Sequence, residues 1–427
     1  MSSHDLDSKG RPLVVVTGMG LVTSLGWGVS QTWSRLIAGH SGITTISRFP
    51  TDGLKTTIAG TIDTPEGAPY AAYTHSLRIA QAAADEAIRQ SGIGTPGRFP
   101  GPLYIATPPS ELEWPQLSRL YEHADKTAGE GYRRLLAAAR TRQFDDLRAH
   151  AEFASIADVM QRQFGTIGEP LSLCTACASG ASTIQMAMER LRRGQAEAAL
   201  CVGTDATVHP EGLVRFSLLS ALSTRNDPPE AASRPFTKSR DGFIIAEGAG
   251  AVVVETYQHA KARGAEPLGV VLGAGEKADC YHRTRSKPDG SAIIGAMRKA
   301  LIDADTSADD IDHVNAHGTS TPENDKMESV SLSQVLGARV KTVPVTSNKS
   351  QLGHTLIAAG AVEAVVSLMT MREGVIPPTI NHHDPDPEIG LDIVANTART
   401  ARVGKVLSNS FGFGGQNVCL VLAAEPG

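Results

Sequence analysis

Residues 171–181 of the chain, LSLCTACASGA, join a short apolar run to a cysteine and a cluster of small residues. Apolar residues continue at close to helical spacing as far as Leu191, so the pattern predicts a strand, a sharp turn and a helix. Cys177 would lie at the start of that helix, where the helix dipole lowers the pKa of a thiol. A thiolate there is a nucleophile, as in the nucleophile elbow of hydrolases. The alternative is a cysteine that serves as a small buried side chain, which is the better interpretation of Cys174 in the strand.

Three later stretches also place chemically useful residues at the ends of predicted elements. His317 follows a buried strand in NAHGTSTP, and His354 lies where a loop enters a helix in NKSQLGH. The stretch SNSFGFGG at 408–415 is a glycine-rich loop with two aromatic residues. Each alone has a structural interpretation, as a core histidine or a turn. Together with Cys177 they predict one site at the carboxyl ends of strands, where ligands bind in α/β folds.

The composition is that of an ordinary globular protein and argues against several classes. With 427 residues, 41% of them hydrophobic, the chain can bury a sizeable core in two domains or in one duplicated domain. The net charge of −5 argues against a nucleic-acid or acidic-membrane partner. The cysteines lack paired metal-ligand spacing, residues 1–11 lack an apolar secretory core, and no apolar run reaches the roughly 18 residues of a membrane span. We therefore expect a soluble, reduced, cytoplasmic protein without membrane insertion.

Short apolar strands alternate with helices along the chain, which indicates an α/β fold. The first strand is expected at 14–20, ending in a glycine turn; its Gly-x-Gly lacks the third glycine and the acidic residue of a dinucleotide site. Other strands are expected near 103–106, 171–174, 198–203, 243–255, 268–275, 311–315 and 343–346. Helices are expected near 29–38, 73–90, 177–191, 291–304, 325–336 and 358–369.

The pattern of strand, loop and small-residue helix occurs twice, once around Cys177 and once at 343–369. We therefore expect two similar halves that face each other. Residues 108–164 differ, because they are rich in charge and in helix formers, with amphipathic helices predicted at 132–149. This segment is interpreted as a helical insertion or cap.

Several of these stretches together resemble one protein family. They are TACASG (175–180), RPF (234–236), DGF (241–243), EGAG (247–250), HGTST (317–321), Lys349 with GH (353–354), and NSFGFGG (409–415). In order and spacing they are similar to the β-ketoacyl-acyl-carrier-protein synthases of thiolase fold, and among these to the elongating, second type of bacterial fatty acid synthesis. The resemblance runs from about residue 13 to the end of the sequence and omits only 108–164.

The resemblance implies a fold and an assembly. The fold would be α/β and thiolase-like, with two similar halves in a five-layered αβαβα arrangement. Residues 12–260 would form the N-terminal half, with the nucleophile and the cap at 108–164. Residues 261–425 would form the C-terminal half, with the two histidines. The protein would be a homodimer, and its partner would be acyl carrier protein in the acyl and malonyl forms.

The resemblance also implies a decarboxylative Claisen condensation that requires no cofactor. Cys177 would take an acyl group from the carrier protein as a thioester. His317 and His354 would donate hydrogen bonds to the carbonyl oxygen of malonyl carrier protein, where enolate charge develops as carbon dioxide leaves. Lys349, paired with Glu328, would orient the second histidine and add positive potential. The product would be a 3-oxoacyl carrier protein that is two carbons longer.

Further residues match supporting positions of the family. The backbone N–H groups of Cys177 and Phe411 would form the oxyanion hole, and the Phe411 side chain would gate the acyl pocket. The positions that contact the phosphopantetheine arm would be Thr284, Thr319 and Thr321. The set that holds a structural monovalent cation, Na⁺ or K⁺, in some relatives would be Asn315, Glu363, Ser408 and Asn409. An ordinary hydrogen-bonded network is the alternative interpretation of that set.

Two departures from the family leave the substrate open. The cap replaces the segment that in relatives lines the acyl tunnel and the dimer interface, so the acyl chain length is not defined. Ser220 stands where many relatives carry an arginine that docks the acidic carrier, and 73–78 lacks their basic cluster. Either the carrier is a specialised one, or it docks on the cap arginines Arg133, Arg134, Arg140 and Arg142. A long-chain or very-long-chain elongation system would suit both departures.

Three alternatives to fatty acid elongation follow from the same residues. A ketosynthase of a polyketide, nodulation-type or other specialised lipid pathway would use the same chemistry. A non-catalytic partner subunit, like the chain-length factors of polyketide systems, is disfavoured because such subunits lack the nucleophile that this chain retains. A degradative thiolase is disfavoured because that branch uses a cysteine where this chain has a histidine.

Overall fold

Strands and helices alternate along the chain, as expected for an α/β protein. The computed structural model describes residues 5–63, 70–109, 111–124, 127 and 129–425. The strands are β1 (Val14–Thr23), β2 (Gly26–Trp27), β3 (Thr44–Thr45), β4 (Ile58–Ala59), β5 (Leu103–Ala106), β6 (Leu171–Leu173), β7 (Ala198–Asp205), β8 (Gly248–Thr256), β9 (Gly269–Ala278), β10 (His313–Asn315), β11 (Pro344–Thr346), β12 (Val375–Ile376), β13 (Asp392–Ile393), β14 (Arg399–Thr400), β15 (Lys405–Phe411) and β16 (Gln416–Ala423). The α-helices are α1 (Val29–Ile37), α2 (Ala72–Ser91), α3 (Trp114–His123), α4 (Tyr132–Arg140), α5 (Arg148–Ala151), α6 (Ser155–Phe164), α7 (Ser179–Arg192), α8 (Pro210–Leu218), α9 (Tyr257–Ala262), α10 (Ser291–Asp303), α11 (Pro322–Leu336), α12 (Lys349–Leu352) and α13 (Ala359–Glu373).

Two sets of strands in the described part of the chain have the same order and the same relative directions. In the first, β6-β5-β7-β8-β1, two parallel contacts are followed by two antiparallel ones. The second, β11-β10-β15-β16-β9, repeats this succession of contacts. The two sets join where β1 pairs with β9, through Val15 with Val270 and Val16 with Gly269. The expected two similar halves are therefore confirmed.

Helices α7 and α13 lie in the middle of the molecule, between the two strand sets. α7 packs on β5, β7 and β8, α13 packs on β8, β15 and β16, and the two helices pack on each other. Along β8, Val252 and Val254 face this central core, whereas Ala251 and Val253 face α2 on the outside. α10 covers β9 and β16 on the outside of the other half. The layers are therefore helix, sheet, helix, sheet and helix, as expected.

The two central helices meet through small residues at their first turns. A Cβ atom on Gly180 would lie 2.5 Å from the backbone nitrogen of Ala361, and one on Gly360 would lie 2.5 Å from the backbone nitrogen of Ala181. No side chain fits at either glycine without a backbone shift. This contact joins the two halves at the start of α7, directly beside Cys177.

Two expected strand bounds are wrong, for tertiary reasons. β1 does not end in a glycine turn but continues to Thr23. Its glycines are required because α2 packs closely on the strand. A Cβ atom on Gly18 would lie 2.0 Å from a backbone oxygen of α2, and a Cβ atom on Gly20 would lie 1.8 Å from another backbone oxygen of that helix. β8 begins at Gly248 and not at Phe243. Residues 243–246 instead make single bridges to three separate segments, so they extend no ladder.

Residues 108–164 form helices α3 to α6, which confirms the helical insertion; residues 110, 125, 126 and 128 of it lie outside the described residues. The insertion has a small core of its own, made of Leu120, Ala124, Ala138 and Leu147. α6 packs on α2, and Glu111 accepts two hydrogen bonds from Arg215 of α8, at 2.6 and 2.7 Å. The insertion is thus attached at both ends to the main body. Among the described helices, none combines the length and the apolar character of a membrane span.

Candidate active site

A tight turn holds Cys177 between β6 and α7, as the sequence predicts. Ala176 has a φ of 50°, in the left-handed region, which turns the chain sharply before the cysteine. The Thr175 N–H donates to Ser179 Oγ (2.7 Å), and the Ser179 N–H donates to the Ala176 carbonyl oxygen (3.1 Å). Cys177 is buried, at 8% exposure. Cys174, expected inside the apolar strand, is exposed, because β6 lies at the edge of the sheet.

Two histidine rings from the C-terminal half converge on the Cys177 sulfur. His317 follows β10, and His354 follows α12. Cys177 Sγ and one nitrogen of each ring all lie within 4.8 Å of one another. The ring centroids are 5.3 Å apart, the rings are nearly perpendicular at 82°, and all three residues are buried. The structure thus brings together three residues that the sequence predicted from separate stretches.

Both imidazoles are neutral and carry their proton on Nε2. Burial, together with the nearby charge of Lys349, lowers the pKa of His317 and the pKa of His354 well below the usual value. The Leu356 N–H donates to His354 Nδ1 (3.2 Å), and Lys349 Nζ lies 3.5 Å from His317 Nδ1. Nδ1 is therefore the acceptor in each ring, which leaves an N–H at Nε2. Two such donors can stabilise negative charge that develops on a carbonyl oxygen.

The Cys177 thiol is protonated at neutral pH in the substrate-free protein. Burial raises the pKa of Cys177 to about 12, although the Lys349 charge and the Phe413 backbone N–H act in the opposite direction. The expectation of a lowered thiol pKa is therefore wrong for this state, because loss of hydration outweighs the Lys349 charge and the Phe413 hydrogen bond. The sulfur must lose its proton in the course of the reaction.

Lys349 pairs with Glu363 of α13, and the expected pairing with Glu328 is wrong. Lys349 Nζ forms a buried salt bridge with Glu363 Oε1. Glu328 instead accepts hydrogen bonds at 2.8 Å from the backbone N–H groups of His317 and of the residue after it. The reason is the position of Glu328 on α11, which begins just after the His317 loop and faces it. The histidine next to Lys349 Nζ is also His317, and not the expected His354.

An aromatic wall surrounds the reacting groups. The aromatic residues that line the cavity are Phe216, Phe243, Phe411 and Phe413. The Phe243 ring packs edge-on against His354, with 5.3 Å between centroids, and the Phe411 ring lies 5.5 Å from His317. Phe411 was the aromatic residue predicted at the site. Phe413 is the second aromatic of the predicted glycine-rich loop SNSFGFGG, and Phe243 ends the DGF motif, whereas no local signal marks Phe216.

The three threonines expected to contact the pantetheine arm line the same cavity as Cys177. They are Thr284, Thr319 and Thr321. The hydroxyls of the last two lie 2.9 Å apart, and the N–H of the first donates to His282 Nδ1 (3.1 Å). Their binding of the arm stays a prediction.

The expected cation set lies buried beside the Lys349 salt bridge. Asn315 Nδ2 donates to the Glu363 carbonyl oxygen (3.1 Å), and Ser408 and Asn409 are neighbours on β15. Burial raises the pKa of Glu363 to about 7, although the Lys349 charge lowers it. Among the described residues, three oxygens of the set have no hydrogen-bond partner: Glu363 Oε2, Ser408 Oγ and Asn409 Oδ1.

Known proteins match the sequence over nearly its whole length. Residues 12–260 match the N-terminal domain of beta-ketoacyl synthase, and residues 268–383 match its C-terminal domain. A 3-oxoacyl-[acyl-carrier-protein] synthase 2 of Coxiella burnetii is 35% identical over 418 residues, 96% of this chain and 98% of that protein. The tetracenomycin polyketide synthase ketoacyl synthase alpha subunit of Streptomyces glaucescens is 35% identical over 416 residues, 96% of each chain.

Solved structures match the fold equally well. A type II polyketide synthase complex, of an acyl-carrier protein with its ketosynthase bound to the hexaketide, contains a chain that matches with a TM-score of 0.87 and 30% identity, over 97% of this chain and 100% of that one. A beta-ketoacyl synthase from Burkholderia phymatum matches with a TM-score of 0.82 and 29% identity, over 97% and 100%. The fold and the resemblance expected from the sequence are thereby confirmed. The chain belongs to the beta-ketoacyl synthase family.

Proposed function

We propose that this protein is a β-ketoacyl-acyl-carrier-protein synthase, which condenses an acyl group with malonyl carrier protein. The observation that carries the proposal is the convergence of the Cys177 sulfur and two neutral imidazoles within 4.8 Å in one buried cavity. A nucleophile alone would serve many transfer reactions. Two N–H donors aimed at the same small space add the means to stabilise an enolate.

In the first half-reaction, Cys177 attacks the acyl thioester of the carrier protein. A bond forms between Cys177 Sγ and the acyl carbon, and the bond from that carbon to the pantetheine sulfur breaks. The thiol proton of Cys177 ends on the departing sulfur, so this half-reaction neither takes up nor releases a net proton. The Phe413 backbone N–H lowers the pKa of Cys177 and so favours charge on its sulfur as the proton leaves.

In the second half-reaction, malonyl carrier protein loses carbon dioxide. The bond to the carboxylate breaks, and its electron pair forms an enolate whose oxygen accepts hydrogen bonds from Nε2–H of His317 and of His354. The enolate carbon attacks the carbonyl carbon of acyl-Cys177, the S–C bond breaks, and the thiolate takes a proton from water. Lys349 acts as a positioning residue, because its ammonium keeps Nδ1 of His317 unprotonated.

Two supporting roles complete the proposal. The backbone N–H groups of Cys177 and Phe411 bind the acyl oxygen during the transfers. A gate role for the Phe411 side chain stays a prediction, because its ring packs near His317 and is buried in the C-terminal core with Leu407 and Cys419.

The test uses purified protein with an acyl carrier protein series from short to very long chains, and malonyl carrier protein labelled in the carboxyl carbon. We expect labelled carbon dioxide and a 3-oxoacyl product two carbons longer than the acyl donor. A His317→Ala, His354→Ala double variant is the matched control for spontaneous decarboxylation. Labelled carbon dioxide no faster than in this control, at every chain length, would refute the proposal.

The same series addresses the pathway. The fatty acid relative and the polyketide relative are both 35% identical to this chain, so identity favours neither. Long-chain or very-long-chain elongation stays the prediction, with a specialised polyketide or lipid ketosynthase as the alternative. The non-catalytic alternative is disfavoured because the nucleophile and both donors are in place. The division of the chain at residues 260 and 261 and the cytoplasmic location also stay predictions.

A homodimer is part of the proposal and is supported by a free sheet edge. Within the described residues, β6 has a neighbouring strand on one side only. Leu171 of this strand is 37% exposed, and Cys174 after it is exposed. An uncovered apolar edge is a pairing site for another chain. The molar mass by light scattering should be that of two chains, and Leu171→Glu should lower it; a monomeric parent protein contradicts this assembly.

A structural Na⁺ or K⁺ fits the buried oxygen set. Besides the unpartnered oxygens of Glu363, Ser408 and Asn409, Oδ1 of Asn348 also lacks a hydrogen-bond partner among the described residues. Nδ2 of Asn348 donates to Asn315 (3.1 Å). Oxygen donors alone suit a hard cation, which would supply positive charge beside a buried carboxylate. The Tm of the protein should be higher in a K⁺ or Na⁺ salt than in a choline salt of the same ionic strength. Equal Tm values in the three salts contradict a cation site.

A further inference from the structure

One buried carboxylate of the N-terminal half takes no part in the proposed mechanism. Asp205 is the last residue of β7 and is 1% exposed. It forms no ion pair with any described residue, so no directly bound cation offsets its loss of hydration. Burial accordingly raises the pKa of Asp205 to about 6, although hydrogen bonds act in the opposite direction. A buried carboxylate without a bound cation destabilises a fold unless other groups hydrogen-bond to it.

The Asp205 carboxylate joins the end of its own strand to a turn of the C-terminal half. Oδ1 accepts hydrogen bonds from the backbone N–H (3.0 Å) and from the hydroxyl (2.6 Å) of Thr207. Oδ2 accepts from the backbone N–H of Ile357 (3.3 Å), in the short turn between α12 and α13. β7 lies directly against this turn, because a Cβ atom on Gly203 would lie 3.2 Å from the Cα atom of Ala358. The carboxylate therefore binds three donors and connects the two halves.

The same turn fixes the orientation of the His354 ring. The Leu356 N–H donates to His354 Nδ1 (3.2 Å), which leaves the ring proton on Nε2. Leu356 has a φ of 46°, in the left-handed region that residues with a side chain rarely adopt. The N–H group that follows it, that of Ile357, is the one bound by Asp205. The orientation of His354 thus depends on a backbone conformation that Asp205 helps to maintain.

We propose that Asp205 is a positioning residue for His354, which acts through the turn at Leu356 and Ile357 to keep Nε2–H aimed at the malonyl oxygen. The proposal rests on the proposed function, which gives that N–H its role. A carboxylate suits this place because it presents acceptors alone to three donors. An amide has a single oxygen, and when that oxygen accepts from Thr207 the NH₂ group faces the Ile357 N–H. Asp205→Asn therefore removes the bond to the turn and keeps the bonds to Thr207.

A double-mutant cycle between Asp205 and His354 tests this proposal, with decarboxylation and acylation measured separately. In Asp205→Asn, the release of labelled carbon dioxide from malonyl carrier protein should slow about tenfold, which is about 1.4 kcal/mol. Acylation of Cys177 should not slow, because burial and, less strongly, the Asp205 charge raise the pKa of that thiol, and the variant removes the second cause.

The two histidine backgrounds show whether Asp205 acts through His354. Added to His354→Ala, Asp205→Asn should slow decarboxylation by less than about twofold, since no imidazole is left to position. Added to His317→Ala, it should still cause the whole tenfold loss of about 1.4 kcal/mol, because His354 remains. A residue that only stabilises the fold would have the same effect in both backgrounds.

Two further variants make the test specific. Asp205→Ser, whose shorter side chain does not reach Ile357, should give the same pattern, so the test does not depend on the folding of one variant. Thr207→Val removes only the hydroxyl from which Asp205 accepts, and it should slow decarboxylation by less than about twofold.

Three results would overturn the proposal. They are decarboxylation at the parent rate in Asp205→Asn, an equal fractional loss with and without His354, and a loss in Thr207→Val as large as that in Asp205→Asn. Failure of the proposed function is a different result, namely decarboxylation by the parent protein no faster than by the variant that lacks both histidines.

Discussion

Replacement of His354 should separate the two half-reactions of the proposed mechanism. His354 contributes an Nε2–H to the cavity and accepts a hydrogen bond from the Leu356 N–H through Nδ1. In His354→Ala both are lost. The Cys177 turn and the His317 loop, which rest on other contacts, are not altered. Acylation therefore keeps its nucleophile, while decarboxylation loses one of its two donors.

The size of each effect follows from these contacts. Loss of one preorganised donor to a developing oxyanion lowers a rate by about 10²- to 10³-fold, so condensation should fall by that factor in His354→Ala. Acylation should fall by less than about tenfold, since no donor to the malonyl oxygen takes part in it. The buried Leu356 N–H, left without an acceptor, lowers the free energy of unfolding by about 1–3 kcal/mol. His354→Asn is the matched variant, because its amide can both accept from that N–H and donate into the cavity.

The assay measures the half-reactions separately. Intact-protein mass spectrometry gives the rate of acyl transfer to the enzyme, and labelled carbon dioxide gives the rate of decarboxylation. His354→Asn should recover the stability and part of the decarboxylation rate. The assigned role is refuted if folded His354→Ala releases carbon dioxide at the wild-type rate, or if its acylation falls as steeply as its condensation.

Three further predictions follow from the same geometry. Lys349→Met should lower the free energy of unfolding, measured by urea titration, by about 3 kcal/mol, because Glu363 is left buried without the Lys349 ammonium. Adding Glu363→Gln to this variant should restore most of the lost free energy of unfolding. Iodoacetamide should alkylate Cys177 about tenfold faster for each pH unit between about pH 7 and pH 10. The reason is that burial raises the pKa of this thiol to about 12, so the thiolate fraction increases throughout that range. Peptide mass spectrometry measures the rate, and a rate that stops increasing below pH 8 contradicts the prediction. Gly180→Ala should abolish soluble expression or lower the Tm sharply, because its Cβ would lie 2.5 Å from a backbone nitrogen of α13, whereas Gly390→Ala, with no atom within 4 Å, should leave the Tm unchanged.

The nucleophile and the two histidines could be predicted from the sequence because their signals are local. The turn at Cys177 needs small residues on both sides, and these are adjacent in the chain. His317 and His354 each stand at the end of an element, where the sequence shows both the element and its end. The two similar halves could be inferred for the same reason, from a repeated order of strand, loop and small-residue helix.

Other features depend on contacts between distant segments, which a single sequence does not display. Gly18 and Gly20 suggest a turn locally, but they mark the place where α2 packs on a continuing strand. Glu328 and Glu363 are both buried acids, and the position of α13 determines that Glu363 forms the ion pair with Lys349.

The ionisation state of Cys177 could not be predicted from the sequence for a related reason. The helix start that lowers a thiol pKa is visible in the residue pattern, whereas desolvation depends on everything that packs around the sulfur. Here the cysteine is 8% exposed, with an aromatic wall on one side and two neutral imidazoles nearby. Burial has the larger effect on its pKa, and the residue pattern alone does not show how much surrounds the sulfur.

The central claim is that Cys177 carries the acyl group as a covalent intermediate. The most direct measurement is peptide mass spectrometry of the protein after incubation with acyl carrier protein alone, on the parent chain, Cys177→Ala and Cys174→Ala. The account predicts one acyl group on the peptide that contains residues 174–177, present in the parent and in Cys174→Ala and absent from Cys177→Ala. Acylation that persists in Cys177→Ala, or that disappears in folded Cys174→Ala, would contradict it.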